Sequence, residues 1–338
     1  MDPVTALRQI AYYKDRAREH PRRVLAYRNA ADIVESLDIA AMERHGRANS
    51  WQSLRGVGPK TAKVITQAWS GREPDALLEL RAAAADLGGG EIRTALRGDL
   101  HLHSDWSDGS APIAEMMATA AALGHQYCAL TDHSPRLTVA NGLSPDRLRR
   151  QLDVIDELRD RLAPMRILTG IEVDILDDGS LDQEAELLER LDIVVASVHS
   201  KLSMDSVSMT RRMVRAVSGG RHNNRVDVLG HCTGRLVEGD RGLRPESSFD
   251  AEKVFTASRD HGTAVEINCR PERRDPPTRL IKLALEIGCT FSIDTDAHAA
   301  GQLDFLGYGA QRALDAGVPV ERIVNTWPAE KLLEWAAS

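Results

Sequence analysis

The sequence predicts an α/β body with parallel strands closing into a barrel, preceded by a small all-helical module. Three observations predict it. After Gly98, short β-rich runs alternate with amphipathic helical stretches, the pattern of strand–helix–strand units. Side chains that bind metals stand where successive strands would end. Between Thr5 and about Leu37, by contrast, the apolar positions recur at helical spacing.

The bulk properties are compatible with this division. At 338 residues the chain can bury a large core and is expected to hold more than one domain. With 42% hydrophobic and 28% charged residues it has the composition of a soluble globular protein. No run approaches the ~18 apolar residues that span a bilayer. Met1-Asp2-Pro3-Val4-Thr5 lacks the charged-then-apolar layout of a signal peptide. Cys128, Cys232, Cys269 and Cys289 are scattered without a Cys-x-x-Cys pair. That predicts reduced core thiols in a cytoplasmic protein, not a zinc knuckle or a disulfide framework. The net charge of −7 hides an asymmetry: residues 1–72 carry 13 Lys/Arg against 7 Asp/Glu, and the remainder 30 against 43. A basic module suits a polyanion, and an acidic body suits bound cations.

In the first helix Ala6, Ile10, Tyr13 and Ala17 share a face, and His20-Pro21 ends it. A second helix runs through Val24, Tyr27, Ala31 and Val34. Then comes Trp51-Gln-Ser-Leu54-Arg-Gly56-Val57-Gly58-Pro59-Lys60-Thr61-Ala62-Lys63-Val64-Ile65. Gly56 and Gly58 allow a tight turn and close approach to a phosphate. Pro59 suits a first helical turn, and the free amides there, with Lys60 and Lys63, form an anion site. Leu54, Val57, Val64 and Ile65 bury the hairpin.

This spacing resembles the helix-hairpin-helix element, which grips nucleic-acid backbone without reading sequence. It makes Gly56, Gly58, Lys60, Thr61 and Lys63 candidate DNA contacts. The wider segment, with Leu25-Ala26-Tyr27-Arg28-Asn29-Ala30-Ala31, is similar to the lyase-type domain of family X DNA polymerases. In some members a lysine of the hairpin's second helix forms a Schiff base with an abasic sugar. The matching position is Val64, so backbone binding is the inheritance the resemblance implies. Residues 1–74 are read as this DNA-binding domain. Residues 75–95 are read as a linker, an Ala-rich helix followed by a flexible Gly88-Gly89-Gly90 connector. That is too short for a polymerase palm and fingers.

The body, residues 96–338, opens on Asp99-Leu100-His101-Leu102-His103-Ser104-Asp105-Trp106-Ser107-Asp108-Gly109. His101 and His103, two apart, share one side of an extended strand, and Asp108 follows in a turn. Successive fragments then offer His133, Glu172, His199, His231, Glu266 or Asn268, and the spaced pair Asp296 and His298. Imidazoles and carboxylates converging at strand ends suit divalent metals, and such ends form the active face of α/β barrels. His45, His125, His222 and His261 fall in helical or loop contexts and are read as structural or surface residues.

These fragments, with Val198-His199-Ser200-Lys201, Gly230-His231-Cys232-Thr233-Gly234-Arg235-Leu236, Glu266-Ile267-Asn268 and Pro271-Glu-Arg273-Arg-Asp275, resemble the PHP (polymerase and histidinol phosphatase) domain. The branch they are most similar to is that of bacterial family X polymerases. The resemblance implies a distorted (β/α)7 barrel with three divalent ions, zinc, manganese or iron. Their implied ligands are His101, His103, Asp108, His133, Glu172, His199, His231, Asp296 and His298. Glu172 is the candidate bridging carboxylate. Lys201, Arg235 and Arg273 are candidates for added positive charge at a phosphate. Clustered cations acidify water and offset charge on a phosphoryl transition state. The expected function is a metal-dependent phosphoesterase, a DNA 3′-5′ exonuclease or 3′-end-processing enzyme in DNA repair. The alternative is a small-molecule phosphatase of histidinol-phosphatase type with a docking role for the helical domain. A non-catalytic DNA-binding scaffold is a third class, disfavoured by the intact set of nine.

Overall fold

The computed structural model describes residues 1–219, 225–239 and 242–337; His222 lies outside them. Two compact units emerge, Met1–Asp86 with Ala300–Gln302, and Leu87–Ala299 with Leu303–Ser338.

The first unit holds α1 (Pro3–Arg16), α2 (Pro21–Glu35), α3 (Ile39–Ala48), α4 (Pro59–Trp69) and α5 (Asp75–Ala83). Its helix starts are written locally. Asp2 and Asp38 accept the backbone N–H of Thr5 and Ala41, at 2.7 and 2.6 Å, and Pro3, Pro21 and Pro59 occupy first turns. Leu7, Ile10, Val24, Trp51, Val64, Ile65 and Leu77 meet in one core. Leu77 belongs to α5, so the first half of the segment read as a linker is part of this core.

The second half belongs to the other unit. There α6 (Gly90–Ala95), α7 (Ile113–Ala122), α8 (Pro145–Arg159), α9 (Ala185–Leu188), α10 (Ser206–Val217), α11 (Ala251–Asp260), α12 (Thr278–Ile287), α13 (Leu306–Ala316) and α14 (Ala329–Ala337) accompany the sheet. The triglycine is not a free connector. Gly89 N donates to Gln311 Oε1 at 2.9 Å. At φ +96°, a Cβ on Gly89 would lie 2.5 Å from the Ala310 Cβ. Only glycine lets the backbone lie this close to α13.

Seven parallel strands follow in sequence order: β1 (Gly98–Asp99), β2 (Tyr127–Leu130), β3 (Arg166–Asp174), β4 (Ile193–Ser197), β5 (Val228–Leu229), β6 (Ala264–Asn268) and β7 (Phe291–Asp294). A parallel bridge between Leu102 and Ala297 joins the two edges, so the expected seven-stranded barrel is nearly closed. Asn325 stitches the same seam: its Oδ1 accepts Ile293 N at 2.8 Å while Nδ2 donates to the Gly98 and Ile293 carbonyls. Tyr127, Ala129, Ile193 and Val195 pack with Val324, Leu332 and Ala336 in one cluster, which brings α14 against the strands. Four buried cysteines are free thiols. Among the described residues no helix is long and apolar enough to cross a membrane.

Candidate metal centre

The barrel brings all nine candidate ligands together. His101 and His103 continue β1, Asp108 lies in the following turn, and His133 follows β2. His199 and His231 follow β4 and β5, and Asp296 and His298 follow β7. Glu172 departs from the strand-end expectation, since it lies inside β3. Residues 166–169 of β3 pair with β2 and residues 170–174 pair with β4. The long strand therefore carries Glu172 up between two neighbours and into the middle of the cluster.

Glu172 divides its oxygens. Oε2 lies 3.3 Å from His101 Nε2, 3.6 Å from His103 Nε2 and 2.8 Å from His133 Nδ1. Oε1 lies 3.2 Å from His199 Nε2 and 2.9 Å from His231 Nε2. Asp108 Oδ1 is 3.5 Å from His133 Nε2 and 3.3 Å from His298 Nε2, and Asp296 Oδ1 is 3.4 Å from His103 Nε2. Both Glu172 oxygens, both ring nitrogens of His103 and of His199, and His101 Nε2 are buried without a hydrogen bond. So many orphaned donors and acceptors in one dry place carry a large desolvation cost. Cations offset it, and the imidazole and carboxylate set fits them. Among the described residues four overlapping groups have ligand atoms within 4.8 Å of one another: His103, Asp108, His133 and His298; His101, Glu172 and His231; His101, His103 and Asp296; His133, Glu172 and His199.

The electrostatics reflect this crowding. Burial opposes charge on Glu172, yet His199, His101 and His133 hold its carboxyl well below the usual range. Burial likewise works against the charged form of His101, but Glu172 and Glu266 raise it well above the ordinary imidazole value. His103 goes the other way, to about 3, through burial and the nearby His298 and His133 rings.

Around the nine lies a ring of supports. Glu266 is not among the grouped ligands: its Oε1 accepts from His101 Nδ1 at 2.6 Å, and its Oε2 accepts His231 N at 2.5 Å. Asn268 donates from Nδ2 to Glu266 at 3.2 Å and to Asp296 at 3.1 Å. Asp132 accepts from Ser104 N and Oγ, Ser107 Oγ and Gln151 Nε2, which shapes the loop that presents Asp108. Asp174 accepts His199 N at 3.1 Å. Sequence reasoning passed over Asp132 and Asp174. A signal existed for Asp174, which stands two residues from Glu172 and so shares its side of β3.

The three expected phosphate cations fare differently. Arg273 is 6% exposed, with Nε 3.0 Å from Asp296 Oδ2, so it steadies a candidate ligand. Arg235 donates from Nε to the Arg273 and Arg274 carbonyls, both at 3.1 Å, and pairs with Glu246. Its donors are spent on the loop. Lys201 remains exposed, paired with Asp177.

In the helical unit Gly56 adopts φ +99°, where a Cβ would meet Ile33 Cδ1 at 2.6 Å, so the turn requires glycine. Thr61 Oγ1 accepts Gly58 N and donates to Gly58 O, both at 3.0 Å. Thr61 is buried and shapes the hairpin from within; it is not an outward contact. Lys60 and Lys63 are exposed at the start of α4, Lys63 at 3.2 Å from Asp75. Val64 is 2% exposed and packs in the core.

Comparisons with known proteins agree with this architecture. A family model for the PHP domain matches residues 99–270, and one for a helix-hairpin-helix domain matches residues 1–73. The chain is 39% identical over 230 residues to the Bacillus subtilis DNA polymerase/3'-5' exonuclease PolX, covering 68% of this chain and 39% of that protein. The match therefore spans well under half the length of that relative. It is 30% identical over 234 residues to a probable phosphatase of Syntrophotalea carbinolica, covering 67% of this chain and 90% of that one. A solved histidinol phosphate phosphatase from Lactococcus lactis, complexed with zinc, L-histidinol and phosphate, aligns with a TM-score of 0.45 at 19% identity, covering 65% of this chain and 94% of that one. With its barrel, its ligand cluster and the family matches, the chain belongs to the PHP domain family and carries a helix-hairpin-helix domain ahead of the barrel in the sequence.

Proposed function

We propose that this protein is a phosphoesterase that acts on nucleic acid, as a DNA 3′-5′ exonuclease or 3′-end-processing enzyme in DNA repair, with three divalent ions held by the nine clustered residues. The observation that carries this reading is the helix-hairpin-helix domain on the same chain as that cluster. Its Gly56–Gly58 turn leaves the free amides of α4 beside Lys60 and Lys63, a surface chemistry suited to a phosphate backbone. The relative named as a 3'-5' exonuclease supports the same direction.

Bound divalent ions supply an acidified water and compensation of phosphoryl charge. The protein's own part is placement. Glu172 offers one oxygen to each side of the cluster, Glu266 fixes the tautomer of His101, Asp174 orients the His199 backbone, and Arg273 with Asn268 holds Asp296.

A second reading, a small-molecule phosphatase with the helical domain for docking, is favoured by the relative named a probable phosphatase, 90% of whose length is matched. One experiment separates them. Metal-reconstituted protein is given a 5′-labelled single-stranded oligonucleotide, histidinol phosphate and an aryl phosphate, beside His101→Ala. A ladder of 3′-shortened products, absent in the variant and weakening with salt through counterion release, is expected. An untouched oligonucleotide with phosphate released from the small esters would put the second reading first.

A further inference from the structure

A shallow, open depression of about 610 Å³ is lined by Pro135, Arg136, Thr138, Leu176 and Asp182. Its walls are fixed. Asp182 accepts Ser134 Oγ at 2.5 Å and the backbone N–H groups of Arg136 and Asp174, each at 2.8 Å. The loop is also tied by Ser134 N to the Glu172 carbonyl at 3.0 Å and Leu143 N to the His133 carbonyl at 2.7 Å. The Asp182 carboxylate is therefore occupied with the protein's own donors.

Arg136 is the exception to a pattern. Three other arginines, Arg212, Arg147 and Arg235, spend their guanidinium groups on the protein. Arg212 donates to the Ile175 and Ser200 carbonyls, Arg147 to those of Asn141 and Gly142, and Arg235 to those of Arg273 and Arg274. The Arg136 side chain is 55% exposed, and its approach to a carboxylate among the described residues is 3.9 Å, from Nε to Asp174 Oδ2. The other oxygen of that carboxylate lies 3.7 Å from His199 Nδ1. Arg136 is thus one carboxylate away from a ligand of the cluster. It is also three residues from His133, a span of at most about 10 Å.

We propose that this depression is the subsite for a neighbouring phosphodiester of an oligonucleotide substrate, with Arg136 as its anion-binding and specificity-determining residue. The assignment rests on the nucleic-acid reading above and adds to it which residue distinguishes a chain from a lone phosphate ester. An exposed planar guanidinium whose ion pair with Asp174 is long, 3.9 Å, suits the two non-bridging oxygens of a phosphodiester. Pro135 and Leu176 give the adjoining sugar an apolar wall. A small monophosphate bound at the cluster has no second phosphate to place there.

The test compares Arg136→Ala, Arg136→Lys and Arg150→Ala, an exposed arginine on α8, in metal-loaded full-length protein. The substrates are a single-stranded oligonucleotide and p-nitrophenyl phosphate. The ratio of kcat/KM values, oligonucleotide over aryl ester, is expected to fall about tenfold in Arg136→Ala, as for loss of a charge-assisted hydrogen bond. The salt slope for the oligonucleotide should become shallower by about 0.7, one phosphate contact on a single strand. Arg136→Lys should keep the slope, and Arg150→Ala should match the wild type. If the wild type degrades the oligonucleotide and Arg136→Ala leaves the ratio unaltered, the subsite is wrong while the nuclease reading stands. A lower ratio with an unchanged slope overturns the anion role too. A wild type inert on the oligonucleotide but active on the aryl ester removes both.

Discussion

Glu266 Oε1 lies 2.6 Å from His101 Nδ1, and His101 Nε2 faces Glu172 Oε2 at 3.3 Å. The carboxylate accepts from Nδ1, which leaves Nε2 as the nitrogen aimed at the cluster and the one that would offer its lone pair to a bound cation. A buried acid on β6 thereby sets the tautomer of a residue after β1, and through it the donor set that any cation meets.

Glu266→Gln is nearly isosteric but sets an amide where three N–H groups already point, from His101, His231 and Asn268. Metal affinity or activity should drop ~10- to 100-fold, the usual cost of a lost outer partner, with the far-UV circular dichroism unchanged. Metal content by mass spectrometry of the equilibrated protein checks it. A variant that binds metal and turns over like the wild type would show that Glu266 does not orient His101.

Val64, at the position that the resemblance to lyase-type domains matches to their Schiff-base lysine, packs in the core and is 2% exposed. Val64→Lys should destabilise the helical unit by ~4 kcal/mol, corresponding to a lysine pKa depressed by about three units in a dry site. It should also give no borohydride-trapped adduct with abasic DNA. A full-length protein that keeps its melting profile and yields the adduct would mean that this side chain can reach the surface.

His125 supplies a pH prediction away from the cluster. It is buried and neither ring nitrogen has a hydrogen bond; burial, with Arg93 nearby, pushes its pKa down to about 4. The unfolded chain titrates near 6.5, so on acidification the unfolded state binds the proton first. The stability from keeping this ring neutral is complete above pH 6.5 and lost as pH falls toward 4, a total of about 3 kcal/mol. In His125→Leu the stability difference between pH 7 and pH 5 should shrink by about 2 kcal/mol. Urea denaturation at the two pH values measures it, and an unchanged difference would mean that His125 is already satisfied.

Much of the centre was legible because its spacing is local. His101 with His103, and Asp296 with His298, stand two residues apart, and extended backbone puts such pairs on one side whatever lies around them. The hairpin was legible for the same reason: Gly56, Gly58 and Pro59 encode a turn and a helix start within a few residues. The cations were not. Arg235, Arg273 and Lys201 lie beside motifs in the sequence, but an arginine's reach exceeds several residues of chain, so its partner depends on which carbonyls the loops present. The Ala-rich segment after Pro74 misled likewise, because Leu77 and Gly89 pack on helices far away in sequence.

The sequence by itself determined the residue types of the centre, the order in which strands deliver them, and the separation into a basic helical unit and an acidic barrel. Those follow from periodicity, turn chemistry and charge, which act over a few residues. Tertiary structure decided that Glu172 is shared between two sets of histidines, because β3 changes partners midway from β2 to β4. It also decided that Glu266 serves His101, that Arg273 serves Asp296 and that Arg136 stays exposed. Each depends on closing a ring of strands whose edges meet through Leu102 and Ala297, and contacts across such distances are set by packing of the whole barrel, which no short window of sequence contains.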